Sequence, residues 1–299
     1  MSSSAPPPAT GALGRGVRFF AFLLTAFFID GGTCLAASST SVSVKQGEAL
    51  YLRVEVHSNS PVIIGKFRDQ EVPFFRLASP GQYGALIGVD LAEPPGSYPL
   101  KLADPKGAAL KPIHPYRIKV VSQKFGTQEL KLPRETVDLD PPTLARVQKE
   151  QAEVTALLDK ITEEKLWESG FLVPTEGKIA GTFGLKRILN GQPRSTHSGE
   201  DIDAPLGADV HASNTGKVIL AQDLFFSGKS IILDHGWGIY TMYFHLSEIN
   251  VLSGEAVKKG QVIGRVGASG RATGPHLHWG LRLGGARVNP FSLAGLSIP

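Results

Sequence analysis

The sequence predicts a mainly β protein: a small sandwich-like β domain, a linking helix and a compact antiparallel β-sheet domain. Three observations carry this. Glycine (34) and proline (21) are frequent among the 299 residues, so turns are closely spaced. Short runs of alternating apolar residues recur between those turns. Helical spacing is confined to one stretch near the middle. At 42% hydrophobic and 19% charged, the chain has enough apolar residues for two modest cores.

The first segment, residues 1–37, has the layout of a secretory signal. Arg15 and Arg18 precede an apolar run from Phe19 to Ile29, too short to span a bilayer comfortably. Small residues follow, and Cys34-Leu35-Ala36 or Leu35-Ala36-Ala37 precedes the expected cut. A retained N-terminal anchor is the competing reading. Gly31-Gly32-Thr33 before the lone cysteine, Cys34, makes a poor lipoprotein signal. Once cleaved, the protein contains no cysteine and rests on its core alone, without a disulfide. It then carries 29 basic and 26 acidic residues, a mild excess spread along the chain. That balance excludes nucleic acid as a natural partner but tolerates an anionic polymer. No stable membrane insertion is expected after signal cleavage, and the location is periplasmic or otherwise exported.

Residues 38–122 form the first β domain. Val42 and Val44 alternate with polar partners, Leu50, Leu52, Val54 and Val56 share one face, and Tyr116 to Val120 repeats the pattern. Pro80-Gly81 and Pro94-Pro95-Gly96 supply turns between strands. A sandwich of immunoglobulin type is the expected fold. His57 and His114 have no partner motif nearby, so no chemistry is assigned there.

Residues 123–170 are linker and helix. After a proline-containing connector, Asp140-Pro141-Pro142-Thr143 starts a helix expected to run to about Trp167. Leu144, Val147, Val154, Leu157, Leu158, Ile161 and Leu166 keep its apolar spacing. The repeat is interrupted at Gln151, which favours a helix docked between domains over a coiled coil.

From residue 171 to 299 glycine becomes dense and short β-prone runs recur, among them Ser230 to Leu233, Ile239 to Phe244 and Gln261 to Gly264. Short strands at this rhythm make a compact antiparallel domain. It holds the chemistry. His276 and His278 lie at i and i+2, so on a strand they project from one face, roughly 7 Å apart. Upstream, His197 and Asp201 lie four residues apart. One of the paired histidines closes a three-ligand set with these two, leaving a coordination position for water. A metal ion in such a set lowers the pKa of its water from about 15.7 toward 7. The other histidine of the pair, or His245, is then available as proton shuttle. His211 and His235 lack this spacing, and His235 is expected to brace a turn.

At this point the match becomes specific. His197-Ser198-Gly199-Glu200-Asp201, continuing to Ala204-Pro205-Leu206-Gly207, resembles the H-x-G-x-D-x-x-A-P-x-G segment of the lysostaphin/LytM-type zinc metallopeptidases. Tyr243 to Ser247 resembles their Y-x-H-L-S segment. Val257 to Gly264 and Thr273 to His278 are similar to the next two signatures, and Asn289-Pro290 to the closing N-P. The resemblance runs from about Gly181 to Pro290. It implies a small antiparallel sheet with a groove over Zn2+ held by His197, Asp201 and His278, with His245 and His276 as the catalytic pair. It also implies an exported endopeptidase that hydrolyses peptide crosslinks of peptidoglycan through a metal-activated water.

Two other readings compete. A wall-binding or hydrolase-activating protein would keep the groove without cutting, yet all five family positions are filled here. A biotinyl or lipoyl carrier would explain the glycine rhythm of Gly254 to Gly264, but no suitable lysine hairpin is present. A regulatory protein partner, or occlusion by the helix or first domain, stays open.

Overall fold

The computed structural model describes residues 40–112, 114–134 and 137–299. The expected signal peptide, 1–37, lies outside the described residues. The first domain comprises β1 (Thr40–Lys45), β2 (Ala49–Glu55), β3 (Val62–Phe67), β4 (Gln70–Arg76), β5 (Gln82–Gly88), β6 (Gly96–Ala103), β7 (Ala109–Leu110) and β8 (Tyr116–Val121). Hydrogen bonding follows the order β1-β8-β6-β3-β4-β5-β2, with β7 on β6 and β1 parallel to β8. Both ends of that path feed one core: Val44 and Ile118 meet Leu52, Val54, Ile63 and Phe74. A flat sheet could not bring them together, so the path curls into two facing layers.

After β9 (Thr127–Leu130), α1 (Pro141–Leu158) starts as the sequence predicts. Asp140 caps it by accepting from Thr143 N at 2.9 Å, and prolines fill the first turn. The helix ends at Leu158, short of the expected Trp167. Backbone groups beyond Asp159 find tertiary partners instead. Leu166 N and Trp167 N both donate to His235 O, and Trp237 N donates to Thr162 O at 2.7 Å. Trp167 is buried against Phe75, Phe171 and Trp237, while Ile161, counted in the helical pattern, is exposed. Burying one indole outweighs two further turns of helix propensity.

The second domain continues with β10 (Lys178–Ile179), β11 (Lys186–Leu189), β12 (Gln192–Thr196), β13 (Gly199–Asp203), β14 (Asp209–His211), β15 (Gly216–Leu224), β16 (Gly228–Asp234) and β17 (Ile239–Leu246). It ends with β18 (Glu248–Ile249), β19 (Ala256–Val257), β20 (Val262–Arg265), β21 (Leu277–Leu283), β22 (Ala286–Arg287) and α2 (Pro290–Ala294). The main sheet has the order β10-β13-β21-β17-β16-β15-β19. Alternation decides what each face does. Ile202, Ile231, Leu233, Tyr243, Leu277 and Trp279 point into a core closed by Val210 and Ile263 of the small β14-β20-β18 sheet. On the other face Leu220, Leu224, Ile232, Tyr240 and Met242 receive Val154, Leu157 and Leu158 of α1. The linker joins this domain too, because β9 pairs in parallel with β11. Among the described residues, no helix is long and apolar enough to cross a membrane.

The two domains share a joint. Ala49 and Leu86 pack with Leu281, Leu283 and Ala286. Asn289 N donates to Gly47 O at 2.7 Å, and Ala49 N donates to Ser292 Oγ at 2.9 Å. Gly88 has to be glycine because a Cβ there would run into the Leu283 backbone and side chain. Asp90 accepts from Arg287 N, Nε and Nη2 at 2.7–2.9 Å. Burial works against the Asp90 charge, but these bonds outweigh it and hold the carboxyl below its usual range. A carboxyl depressed on folding stabilises above its unfolded pKa, near 3.8, and that stabilisation fades as pH falls through the lower folded value. Asp90→Asn is therefore expected to cost about 2 kcal/mol at pH 7. It should also flatten the loss of stability below about pH 4. Urea unfolding at pH 7 and pH 3.5 checks both.

Candidate metal centre and catalytic residues

Strand register builds the site. In the antiparallel ladder Asp201 of β13 lies directly opposite His278 of β21, and Phe244 of β17 lies opposite His278 on the other side. Directly opposed residues share a face, so the three side chains form one row. Phe244 stacks on the His278 ring, with centroids 5.3 Å apart and planes within 3°. The ring's other flank explains Gly199: a Cβ at that position would overlap the His278 imidazole.

His197 precedes β13 and reaches the same point. Its Nδ1 lies 3.0 Å from Thr182 O. A carbonyl only accepts, so Nδ1 carries the proton and Nε2 presents a lone pair. That Nε2 lies 2.8 Å from His278 Nδ1 and 3.4 Å from Asp201 Oδ1, while His278 Nδ1 lies 3.0 Å from the same oxygen. All three donors fall within one cluster of metal-binding dimensions. Zinc bonds of about 2.0–2.1 Å imply edges of about 3.3 Å between tetrahedral ligands. The observed spacings match that scale. Two ring nitrogens and a carboxylate oxygen with at most one proton among them call for a cation.

The electrostatics agree. Burial raises the cost of the Asp201 charge, yet the close approach of the His197 and His278 ring nitrogens outweighs it and holds the carboxyl well below its usual range. Arg187 Nη2 stands 3.4 Å from the other oxygen, Oδ2. Burial pushes His278 down to about 4 against the pull of Asp201, so its ring is neutral and available as a ligand.

His245 and His276 flank the cluster without joining it. His276 lies one residue before β21, its N donating to Gly267 O at 3.1 Å. Its Nδ1 is satisfied by Gly274 O at 2.8 Å, and its Nε2 comes to 3.9 Å from Asp201 Oδ1. His245 follows Phe244, so a regular strand would send it to the opposite face. It has φ +63°, a left-handed conformation uncommon outside glycine. That twist returns its ring to the site, 4.8 Å from the His276 ring and 6.1 Å from His278. Ser269 O holds its Nδ1 at 2.8 Å. Burial first, then the neighbouring His278 and His276, pushes it down to about 3. Both rings thus have Nδ1–H committed to a carbonyl and Nε2 left to accept a proton.

The five residues singled out by the sequence therefore meet at one place. His211 does not: it lines a separate cleft with Leu172, Val173 and Ile202, the last on the opposite face from Asp201. His235 braces a turn, with Nδ1 donating to Thr215 O and Nε2 paired with Thr241 Oγ1. Sequence reading missed the supporting residues. Glu200, buried behind the site, accepts from Thr182 N, Thr182 Oγ1 and Phe183 N, which fixes the carbonyl that orients His197. Its place within the His197 to Asp201 segment was the only available signal.

Comparison with known proteins follows the same residues. The model of peptidase family M23 matches residues 195–290. A solved structure from Pseudomonas aeruginosa, assigned to peptidase M23, is 31% identical with TM-score 0.63, covering 82% of this chain and 93% of its own. Peptidoglycan DD-endopeptidase ShyA of Vibrio cholerae is 36% identical over 118 residues, 39% of this chain and 27% of the relative. DD-carboxypeptidase/endopeptidase Mpg of Neisseria meningitidis is 42% identical over 117 residues, again 39% of this chain and 27% of the relative. The matched region thus spans about a quarter of the length of these curated relatives.

Proposed function

The chain belongs to peptidase family M23, and from that premise we propose that it is an exported zinc metalloendopeptidase that hydrolyses peptide crosslinks of peptidoglycan. Residues 1–37 act as signal peptide, 38–122 as an immunoglobulin-like β domain, 123–170 as link and 171–299 as the peptidase domain. The observation that carries the reading is the convergence of His197 Nε2, Asp201 Oδ1 and His278 Nδ1 beside two histidines whose Nε2 atoms are uncommitted. The names of the relatives support the substrate class.

His197, Asp201 and His278 would hold the ion. Zinc in that set supplies a Lewis acid and an acidified water at neutral pH. His245 and His276 do the proton work. Their Nε2 atoms accept the proton released when water adds to the scissile carbonyl and return it to the departing amine. Once protonated, they also donate hydrogen bonds to the charge that develops on the carbonyl oxygen. Carbonyl anchors at Ser269 and Gly274 hold both rings in the required tautomer.

The test is cleavage of purified sacculi by the mature protein, with mass analysis of released fragments. Zinc-loaded protein should release crosslink-cleaved fragments, chelation should cut release at least about 100-fold, and added zinc should restore it. Sacculi that bind zinc-loaded protein but stay intact would instead identify a non-hydrolytic wall-binding protein.

A further inference from the structure

Arg282 is a cation whose side chain has no directly bonded acid among the described residues. It lies four residues beyond His278 on β21 and on the same sheet face, about 13 Å along the strand at 3.3 Å per residue. Its register partners are Tyr240 of β17 and Arg287 of β22. The nearby acid is already engaged, because Asp90 is taken up by Arg287 and by Ala92 N. Beyond the backbone ladder, the Arg282 side chain makes no hydrogen bond or ion pair with any of the described residues. Burial lowers its pKa and Arg287 adds to that, while the charge of Asp90, bonded to Arg287, pulls the other way.

The guanidinium does not stand on an open surface. Arg282 lines a cleft of about 420 Å³ between α1 and the sheet, together with Val154, Leu158, Phe226 and Phe244. Phe244 is the ring stacked on His278, so the cleft begins beside the proposed catalytic centre. Glu150 also borders it but is saturated: Arg146 Nε donates to one oxygen at 2.6 Å and Phe225 N to the other at 2.9 Å. A mainly apolar cleft whose far-end arginine has no carboxylate bonded to it among the described residues suits an extended chain whose anionic group ends there.

We propose that this cleft is a substrate subsite, in which Arg282 binds a free carboxylate on the peptide arm three to four residues from the bond cut. The proposal rests on the peptidase reading. Peptidoglycan stems carry such carboxylates, and an extended peptide of that length covers the distance from His278 to Arg282. α1 is then one wall of the groove, and Arg282 selects substrates by charge.

The experiment compares two synthetic crosslinked dimers, one with free α-carboxylates and one with the same groups as carboxamides. Zinc-loaded wild-type protein should favour the carboxylate form about 10- to 100-fold in kcat/KM, the range of one charge-assisted contact. In Arg282→Gln that ratio should collapse toward one, and Arg282→Lys should retain part of it. Thermal midpoint and zinc content are measured alongside. A loss of stability with the ratio unchanged would assign Arg282 to the C-terminal end of α1 instead and overturn the subsite. Equal use of both dimers by the wild type would do the same. If neither dimer is cut, calorimetric binding of the two to wild type and Arg282→Gln still decides. A carboxylate preference abolished by the substitution then supports the subsite while the peptidase reading fails, and equal binding ends both.

Discussion

His278→Ala is expected to yield a folded protein that retains less than about a tenth of an equivalent of zinc and cleaves crosslinks at least about 10³-fold more slowly. The size follows from what the ion contributes. Lewis-acid stabilisation is worth several kcal/mol, and each 1.36 kcal/mol is tenfold in rate. His278 is the hub of the donor set, touching both His197 Nε2 and Asp201 Oδ1, so its loss removes a ligand and the spacing of the other two. Phe244 also loses its stacking partner. Metal analysis by mass spectrometry and fragment release from sacculi measure the two effects. Full zinc occupancy in this variant would refute the ligand assignment.

His276→Ala, two positions earlier, should behave differently. It keeps zinc and loses about 10²- to 10⁴-fold in kcat, as expected for a proton-transfer group. Its Nε2 stands 3.9 Å from Asp201 Oδ1, outside the tight cluster, so the metal set survives without it. His245→Ala should give a similar loss, and the double variant little more than either alone, because the two rings act as one unit. Steady-state kinetics on a soluble crosslinked dimer, with metal content in parallel, separates this from a ligand defect. Zinc loss in His276→Ala would show that the two histidines of the pair share the metal.

Much of this site was legible in the sequence because period-2 geometry is strict. His276 and His278 had to share a face once the segment was extended, and His197 to Asp201 supplied the matching half. What spacing could not tell was which histidine of the pair joins His197 and Asp201 in the candidate metal cluster. That depends on register: Asp201 opposes His278, not His276. His245 was legible as a candidate but not its placement, since regular alternation would turn it away and its return depends on one left-handed residue. The role of Glu200 and Thr182 was not legible, because they act through a backbone carbonyl that no motif encodes and only the place of Glu200 in the His197 to Asp201 segment pointed to it. The helix was over-extended for a similar reason. Local propensity continues through Leu166, but the chain beyond Asp159 is claimed by the turn around His235. The parallel pairing of β9 with β11 likewise joins two segments that show no mutual pattern in sequence.

The joint that ties Gly47 and Ala49 to Asn289 and Ser292 also bears on when this molecule becomes itself. Those partners are about as distant along the chain as the fold allows, with Ala49 and Ser292 separated by 243 positions. The metal set is split in the same way, since His197 and His278 are 81 positions apart. Loops of that length close late, after local hairpins such as β15–β16 have formed. A chain emerging from the ribosome carries two of the three proposed ligands, His197 and Asp201, long before His278 arrives. On the proposed reading, the metal set is expected to be completed only at a late stage of folding. For an enzyme that would cut the structure enclosing the cell, chain order itself acts as a timer.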